Sequence, residues 1–423
     1  MISRVREKYF DFLRYGTEFM GLDLRYFVSG GFWKTAGTII SNVLAALLMV
    51  AFANFLPKET YGLYRYILSL VGILTTFSLT GMNASVTQAV AAGNEGALKS
   101  SVRYQLKWNF IMTAASWALA VYYLWNQNTA IAISLFILGL TTPLAYAFNT
   151  YGAYLEGKQD FKRKSIYATW SVIIYTAGML PAVYFGKGII WLILIYAATS
   201  LAANFILYVK TLKVHSPPEN KAEDAIAYGR HLTYLNLANP ILGQVDNIIL
   251  GHFWGVDQLA VYSLARAIPD KIGPFIKQIV NLGMPKLAAK SIQEVESVFN
   301  KRLLQSFTIG ALLAAGYIIT APFIFKYVLP QYLESIFYSQ ILATTLVFIV
   351  PATYLGAVFD SQKMQTRPLF VASRFIMSGF KILLYVVFGI YGGILGLVFA
   401  QIIYQFFSIF VSIPGWKYEI KKL

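Results

Sequence analysis

Apolar runs of about 20 residues, the length an α-helix needs to cross the hydrocarbon core of a bilayer, recur from end to end of this 423-residue chain. Twelve can be read, at about 32–55, 61–82, 104–125, 130–155, 166–186, 188–210, 232–254, 258–283, 303–326, 337–359, 370–388 and 391–413. The expected fold class is therefore an all-α integral membrane protein with twelve transmembrane helices. Composition agrees: 13% of residues are charged, where a soluble domain carries about a quarter. The chain has no cysteine, which excludes disulfides, thiol catalysis and thiolate metal sites. His215, His231 and His252 are dispersed, with no metal-ligand spacing. The charged N-terminus lacks the short apolar core and cleavage site of a signal peptide.

The net charge of +16 is mostly a statement about topology. If the N-terminus is cytoplasmic, 27 Lys and Arg fall on the inner side and three, Lys58, Lys187 and Lys326, on the outer. That asymmetry is the positive-inside pattern; it places both termini in the cytoplasm of a multi-pass plasma-membrane protein and makes nucleic acid an unneeded partner. With cations at the span ends counted with the adjoining loops, five remain inside the spans: Arg65, Arg266, Lys271, Lys277 and Lys381. Ahead of span 1, Val5, Tyr9, Phe12 and Leu13 recur at roughly helical spacing among Arg4, Arg6, Lys8 and Arg14. This predicts an amphipathic helix on the inner leaflet.

The chain also repeats itself. "FLPKETYGLY" (55–64) follows span 1 and "FWGVDQLAVY" (253–262) follows span 7. "GM" at 81–82 is matched at 283–284, and "GAYLEGKQ" (152–159) by "GAVFDSQK" (356–363). Six spans separate the copies, an even number, so the halves share one orientation. That is a parallel internal repeat of two six-helix bundles, a plan used by transporters. The expected organisation is an amphipathic cytoplasmic-face helix at 1–30, a first bundle at 31–212, a polar cytoplasmic linker at 213–230, a second bundle at 231–415 and a basic tail at 416–423.

Twelve spans in six-plus-six halves, the Phe-to-Tyr segments after spans 1 and 7, and "DNIILGHFWG" (246–255) resemble the Wzx-type oligosaccharide flippases. These form the polysaccharide-biosynthesis branch of the multidrug/oligosaccharidyl-lipid/polysaccharide exporter superfamily, and the resemblance covers about residues 30–415. It implies a cavity lined by spans 1, 2, 7 and 8. In the lipid II flippase branch, which typically has fourteen spans, arginines of spans 2 and 8 are implicated in headgroup binding. Arg65 and Arg266 stand in those spans here, so the resemblance makes them the first candidates for diphosphate contacts.

The residues themselves pose the same question. A cation at mid-bilayer costs roughly 2.5–3.5 kcal/mol on the insertion scale. On one continuous helix, Arg266, Asp270 and Lys277 of span 8 would share a face with Gly273, while Lys271 lies about 140° from Arg266. Pro269 and Pro274 would bend that span. An internal Arg266–Asp270 pair at i,i+4 would cancel part of the charge, but it leaves Arg65, Lys271 and Lys381. The functional reading is a hydrated, positively charged central cavity that takes an anionic headgroup, since charges in spans usually face water or a bundle interior and arginine matches phosphate with a planar fork of donors. Asp246, about 22 Å from the inner end of span 7, either couples transport to a proton or sodium gradient or neutralises a neighbouring cation. No other cofactor is implied.

Enzymes acting on lipid-linked sugars need catalytic groups in sizeable outer loops. Here those loops are short, and Glu59, Asp257 and Glu334 stand far apart. The GxxxxGK[ST] phosphate loop is absent. The expected function is alternating-access translocation of a polyprenyl-(di)phosphate-linked oligosaccharide from the cytoplasmic to the outer leaflet, for surface polysaccharide or glycan assembly. Membrane lipids and the glycosyltransferases or polymerase of the same route are the expected partners. The alternative is an ion-coupled multidrug exporter of the same superfamily. Such exporters favour acids over bases in their cavities, the opposite of this chain's balance.

Overall fold

The computed structural model describes residues 24–186, 188–219, 222–282, 287, 289–362 and 368–420. Most of the expected interfacial helix, residues 1–23, lies outside them, as do the second "GM" landmark at 283–284 and the last three residues of the basic tail. Among the described residues every regular element is a helix, as backbone immersed in hydrocarbon requires. Among the described residues seven helical stretches are long and apolar enough to cross a membrane: Ala36–Phe55, Thr129–Gly157, Phe161–Phe185, Ile189–His215, Ile292–Val328, Ser335–Ser361 and Phe375–Tyr418. The pair Lys58–Phe77 and Met82–Ala91, bent by 55°, makes eight if taken as one span.

The other expected spans are interrupted, each at an identifiable place. Span 3 divides at Asn109 into Ala97–Trp108 and Phe110–Trp125, and the Asn109 amide donates to the carbonyl of Pro143 at 3.0 Å. Span 7 becomes three helices, Glu223–Leu235, Ala238–Leu242 and Val245–Phe253. Span 8 becomes two, Val256–Ala267 and Pro269–Leu282, because Pro269 lacks an N–H and suits the start of a helix. Spans 11 and 12 run together as Pro368–Ile420, kinked at Gly393 in the left-handed region (φ 55°). Of the glycines in "YGGILG", it is Gly396 that brings the two arms together: a Cβ there would overlap the Phe388 carbonyl, whereas one on Gly392 meets nothing.

Helix starts follow local chemistry. Asp160 caps Phe161–Phe185 by accepting from the Arg163 N–H at 3.0 Å. Ser291 and Glu294 form a reciprocal capping box at the head of Ile292–Val328.

The chain forms two compact units. The first comprises the residues up to Ala51 with Leu74–Leu237. Its core gathers Met82, Leu98, Val102, Tyr154 and Leu155, and Met82–Ala91 crosses Glu223–Leu235 closely: the Gly81 N–H donates to Thr233 Oγ1 at 3.0 Å. The second unit comprises Phe52–Ile73 with the residues from Ala238 on. Trp416 is fully buried there, stacked on Phe299 at 5.3 Å between centroids, so the chain stays helical and packed beyond residue 415.

This grouping cuts the sequence differently from the runs 31–212 and 231–415. Helix Lys58–Leu74 takes its contacts from later residues: a Cβ on Gly62 would overlap the backbone of Val256, and one on Gly251 the ring of Tyr66. Asn54 Nδ2 donates to the Val328 carbonyl at 2.9 Å, Gln331 donates back to the Asn54 carbonyl at 3.0 Å, and Lys58 pairs with Glu334. The two matched segments, 55–64 and 253–262, thus pack against each other, and each is a helix, a two-residue break and a helix.

Candidate functional site

The broken helices of the second unit position the buried charge. Asp246 lies in the first turn of Val245–Phe253, where the helix dipole favours a carboxylate, and it is 2% exposed. Its Oδ1 accepts from the Asn247 N–H at 2.9 Å. Its Oδ2 accepts from the Tyr262 hydroxyl at 3.0 Å and pairs with Arg266 Nη1. Arg266 Nε donates to Asp270 Oδ2 at 2.6 Å, across the break between the two helices of span 8. The guanidinium also lies over the Tyr262 ring, 5.2 Å from its centroid. One arginine therefore bridges two carboxylates and rests on an aromatic face, an arrangement that makes a desolvated charge tolerable.

Lys381 approaches from Pro368–Ile420. Its Nζ donates to the Leu242 carbonyl at 3.3 Å, at the end of the short helix Ala238–Leu242, where the break withdraws intrahelical donors. The ammonium sits 5.2 Å from the Tyr385 centroid and 5.5 Å from that of Tyr404. Two cations, two carboxylates and three tyrosines thus form a charge-balanced group. Beside it, Asn247 Oδ1 and Ser263 Oγ are buried without a partner among the described residues.

Of the expected site residues, the structure brings together Arg266, Lys381, Asp246 and Asp270. Arg65 belongs to the same unit but bonds to none of them. It is half-buried, its Nε is enclosed without a hydrogen-bond partner, and among the described residues it makes no ion pair. Lys271 and Lys277 are exposed on Pro269–Leu282. The face read across Arg266, Gly273 and Lys277 is interrupted, because span 8 is two helices, and a Cβ on Gly273 would meet Ile349. Tyr262, Tyr385 and Tyr404 were not singled out by the sequence. A signal for two of them existed: Tyr262 stands four residues before Arg266 and Tyr385 four after Lys381, one helical turn from a buried cation.

The fold and this site define a class: a helical membrane transporter, built around discontinuous spans with ionisable groups at their breaks. Residues 27–270 match the family model described as polysaccharide biosynthesis protein, and the chain belongs to that family. A Shigella flexneri protein named "Putative O-antigen transporter" is 21% identical over 304 residues, 67% of this chain and 72% of the relative. Among solved structures, an inward-facing multidrug resistance MATE family transporter of the MOP superfamily superposes with a TM-score of 0.65 at 12% identity, covering 90% of this chain and 96% of the other. The lipid II flippase MurJ in an inward closed conformation gives 0.64 at 13% identity, covering 91% and 87%. The relative is named a transporter, and the two solved structures that share the fold are a transporter and a flippase, not enzymes.

Proposed function

We propose that this protein is a flippase that carries a polyprenyl-(di)phosphate-linked oligosaccharide from the cytoplasmic to the outer leaflet of the plasma membrane. Twelve spans in two six-helix bundles, cytoplasmic termini and alternating access through a positively charged central cavity belong to the same reading. The observation that carries it is the Arg266–Asp246–Asp270 bridge with Lys381 beside it. Arg266 presents its planar fork to carboxylate oxygens, and the anionic oxygens of a phosphate can be bridged by the same fork. A diphosphate entering the group would exchange with a carboxylate rather than meet a bare charge, which keeps the arginine compensated throughout. Arg65, with no acidic partner among the described residues, is the cation open to the second phosphate.

The exchange carries a consequence for coupling. A phosphate that displaces Asp246 leaves a buried carboxylate unpaired, and such a group takes up a proton or a metal cation. Coupling to a proton or sodium gradient follows, with the unpartnered Asn247 Oδ1 as a neighbouring acceptor. The multidrug-exporter alternative needs a carboxylate open to organic cations, and both acids here are held by Arg266. Membrane lipids and the enzymes that build and polymerise the glycan are the partners this reading requires.

The test is flipping of a fluorescent polyprenyl-diphosphate oligosaccharide in proteoliposomes. Wild type should flip it, and Arg65→Ala and Arg266→Ala should insert normally but fail. Variants that match wild type would remove these arginines from the site. A wild type inert on the anionic lipid but active on a soluble cationic dye would establish the exporter.

A further inference from the structure

The first unit holds a cavity of about 180 Å³ between Ile189–His215 and Thr129–Phe148 with its C-cap Asn149, lined by Thr142, Tyr146, Tyr196, Ser200 and Asn204 among others. At about 30 Å³ per water it has room for roughly six waters, or for one sugar ring. Its depth matters. Tyr196 stands seven residues into its helix and Asn204 fifteen, about 10 and 22 Å along the axis, so the cavity is at the level of the hydrocarbon.

Polar side chains at that level normally bond back to their own helix or across to a neighbour. Two here do: Thr141 Oγ1 donates to the Ile137 carbonyl at 2.9 Å and Asn204 Nδ2 to the Ser200 carbonyl at 2.9 Å. The side chains of Thr142, Tyr146, Asn149 and Ser200 make no hydrogen bond among the described residues. Four open donor–acceptor groups therefore converge on one cavity, with Asn204 Oδ1 beside them. Ala145 and Ala197 are buried, while Tyr146 and Asn149 are exposed, which gives the cavity a floor and a mouth.

The lining carries no charge, so it offers nothing that specifically compensates a phosphate or an organic cation. It does offer hydroxyls and an amide that both donate and accept, together with two tyrosine rings whose faces are apolar. A ligand that matches is rich in hydroxyls on its edge and in C–H on its faces. We infer that this cavity is a binding site for one neutral sugar ring of the translocated glycan. The inference rests on the flippase reading for the source of the sugar, but not for the chemistry of the site.

The experiment uses the full chain in nanodiscs and saturation-transfer NMR with four free neutral sugars, glucose, galactose, rhamnose and N-acetylglucosamine, and, separately, farnesyl diphosphate. At least one sugar should bind wild type. Tyr146→Ala and the isosteric Thr142→Val and Ser200→Ala should each weaken it roughly tenfold, the effect of one lost hydrogen bond at the upper end of its range. Farnesyl diphosphate should bind all three variants as it binds wild type, which also shows that they are folded. Binding of none of the four sugars, or variants equal to wild type, would overturn the inference. Failure of farnesyl diphosphate alone, with the pocket effects intact, would remove the diphosphate reading and leave the sugar site standing. Uptake of the free sugar into proteoliposomes would contradict the glycan as its source.

Discussion

Each unit holds one cluster of polar side chains within its spans, and the two clusters differ. In the second, Arg266, Asp246, Asp270 and Tyr262 are tied to one another, and Lys381 is tied to the Leu242 carbonyl. In the first, Thr142, Tyr146, Asn149 and Ser200 are neutral and bond to nothing among the described residues. The two arrangements suit different ligands. A charge network that satisfies itself can wait in hydrocarbon and exchange partners when an ion arrives. A neutral polar cavity costs less to leave open, because water fills it, and it selects a ligand by hydrogen-bond geometry.

The largest effect should come from breaking the network on one side only. Asp246→Ala leaves a largely buried guanidinium with one remaining carboxylate, and loss of one partner of a buried pair costs about 3–5 kcal/mol. Thermal unfolding of the purified protein should show it, and Asp246→Ala with Arg266→Ala together should cost less than the sum. Simple additivity would mean that the two side chains are independent and that the network is not one unit.

Lys381→Met should cost about 1–2 kcal/mol, since it removes one hydrogen bond and two cation–π contacts while keeping the stem. In the same melting assay, an effect as large as that of Asp246→Ala would move the centre of the network to Lys381.

These residues also mark what could be read in advance. Charges inside apolar runs are conspicuous, so Arg266, Asp246, Asp270 and Lys381 were legible. The partner of Arg266 was only half legible: the i,i+4 relation to Asp270 is written in the spacing, whereas Asp246 reaches it through tertiary packing of a neighbouring span. Lys271 and Lys277 look equivalent to Arg266 in sequence, and only the structure shows that they are exposed while Arg266 is held by two carboxylates. Helix breaks were the hardest feature to foresee, because an apolar run has the same hydropathy whether its helix is continuous or interrupted at Asn109, Gly243 or Ile268. The neutral cavity was invisible for a related reason. Threonine, serine and tyrosine in spans usually bond back to the helix, and nothing in their order distinguishes those that do not.

A smaller effect is expected outside the membrane. Hydrogen bonds from Lys158 and Tyr154 hold the Glu95 carboxyl below the ordinary carboxylate range. A group shifted this way stabilises the fold above its unfolded value, and the contribution is lost as pH falls through the lowered value. Melting temperature should therefore be insensitive to pH near neutrality and fall in acid, and Glu95→Gln should lower it near neutrality and blunt the acid fall. An unchanged acid profile in that variant would place the loss elsewhere.

The smallest effect belongs to the neutral cavity. Thr142→Val and Ser200→Ala remove groups with no partner, so stability should change by no more than about 0.5 kcal/mol. A larger loss in thermal unfolding would mean that these side chains hold the first unit together, and the contrast between the units would disappear.

The central claim, that Arg266 holds a carboxylate in place of a phosphate, is tested most directly by farnesyl diphosphate binding to wild type, Asp270→Asn and Arg266→Ala. Asp270→Asn keeps the shape of the side chain but removes the competing charge, so binding should tighten, and Arg266→Ala should abolish it. An Asp270→Asn variant that binds no better than wild type, with Arg266→Ala binding undiminished, would contradict the claim.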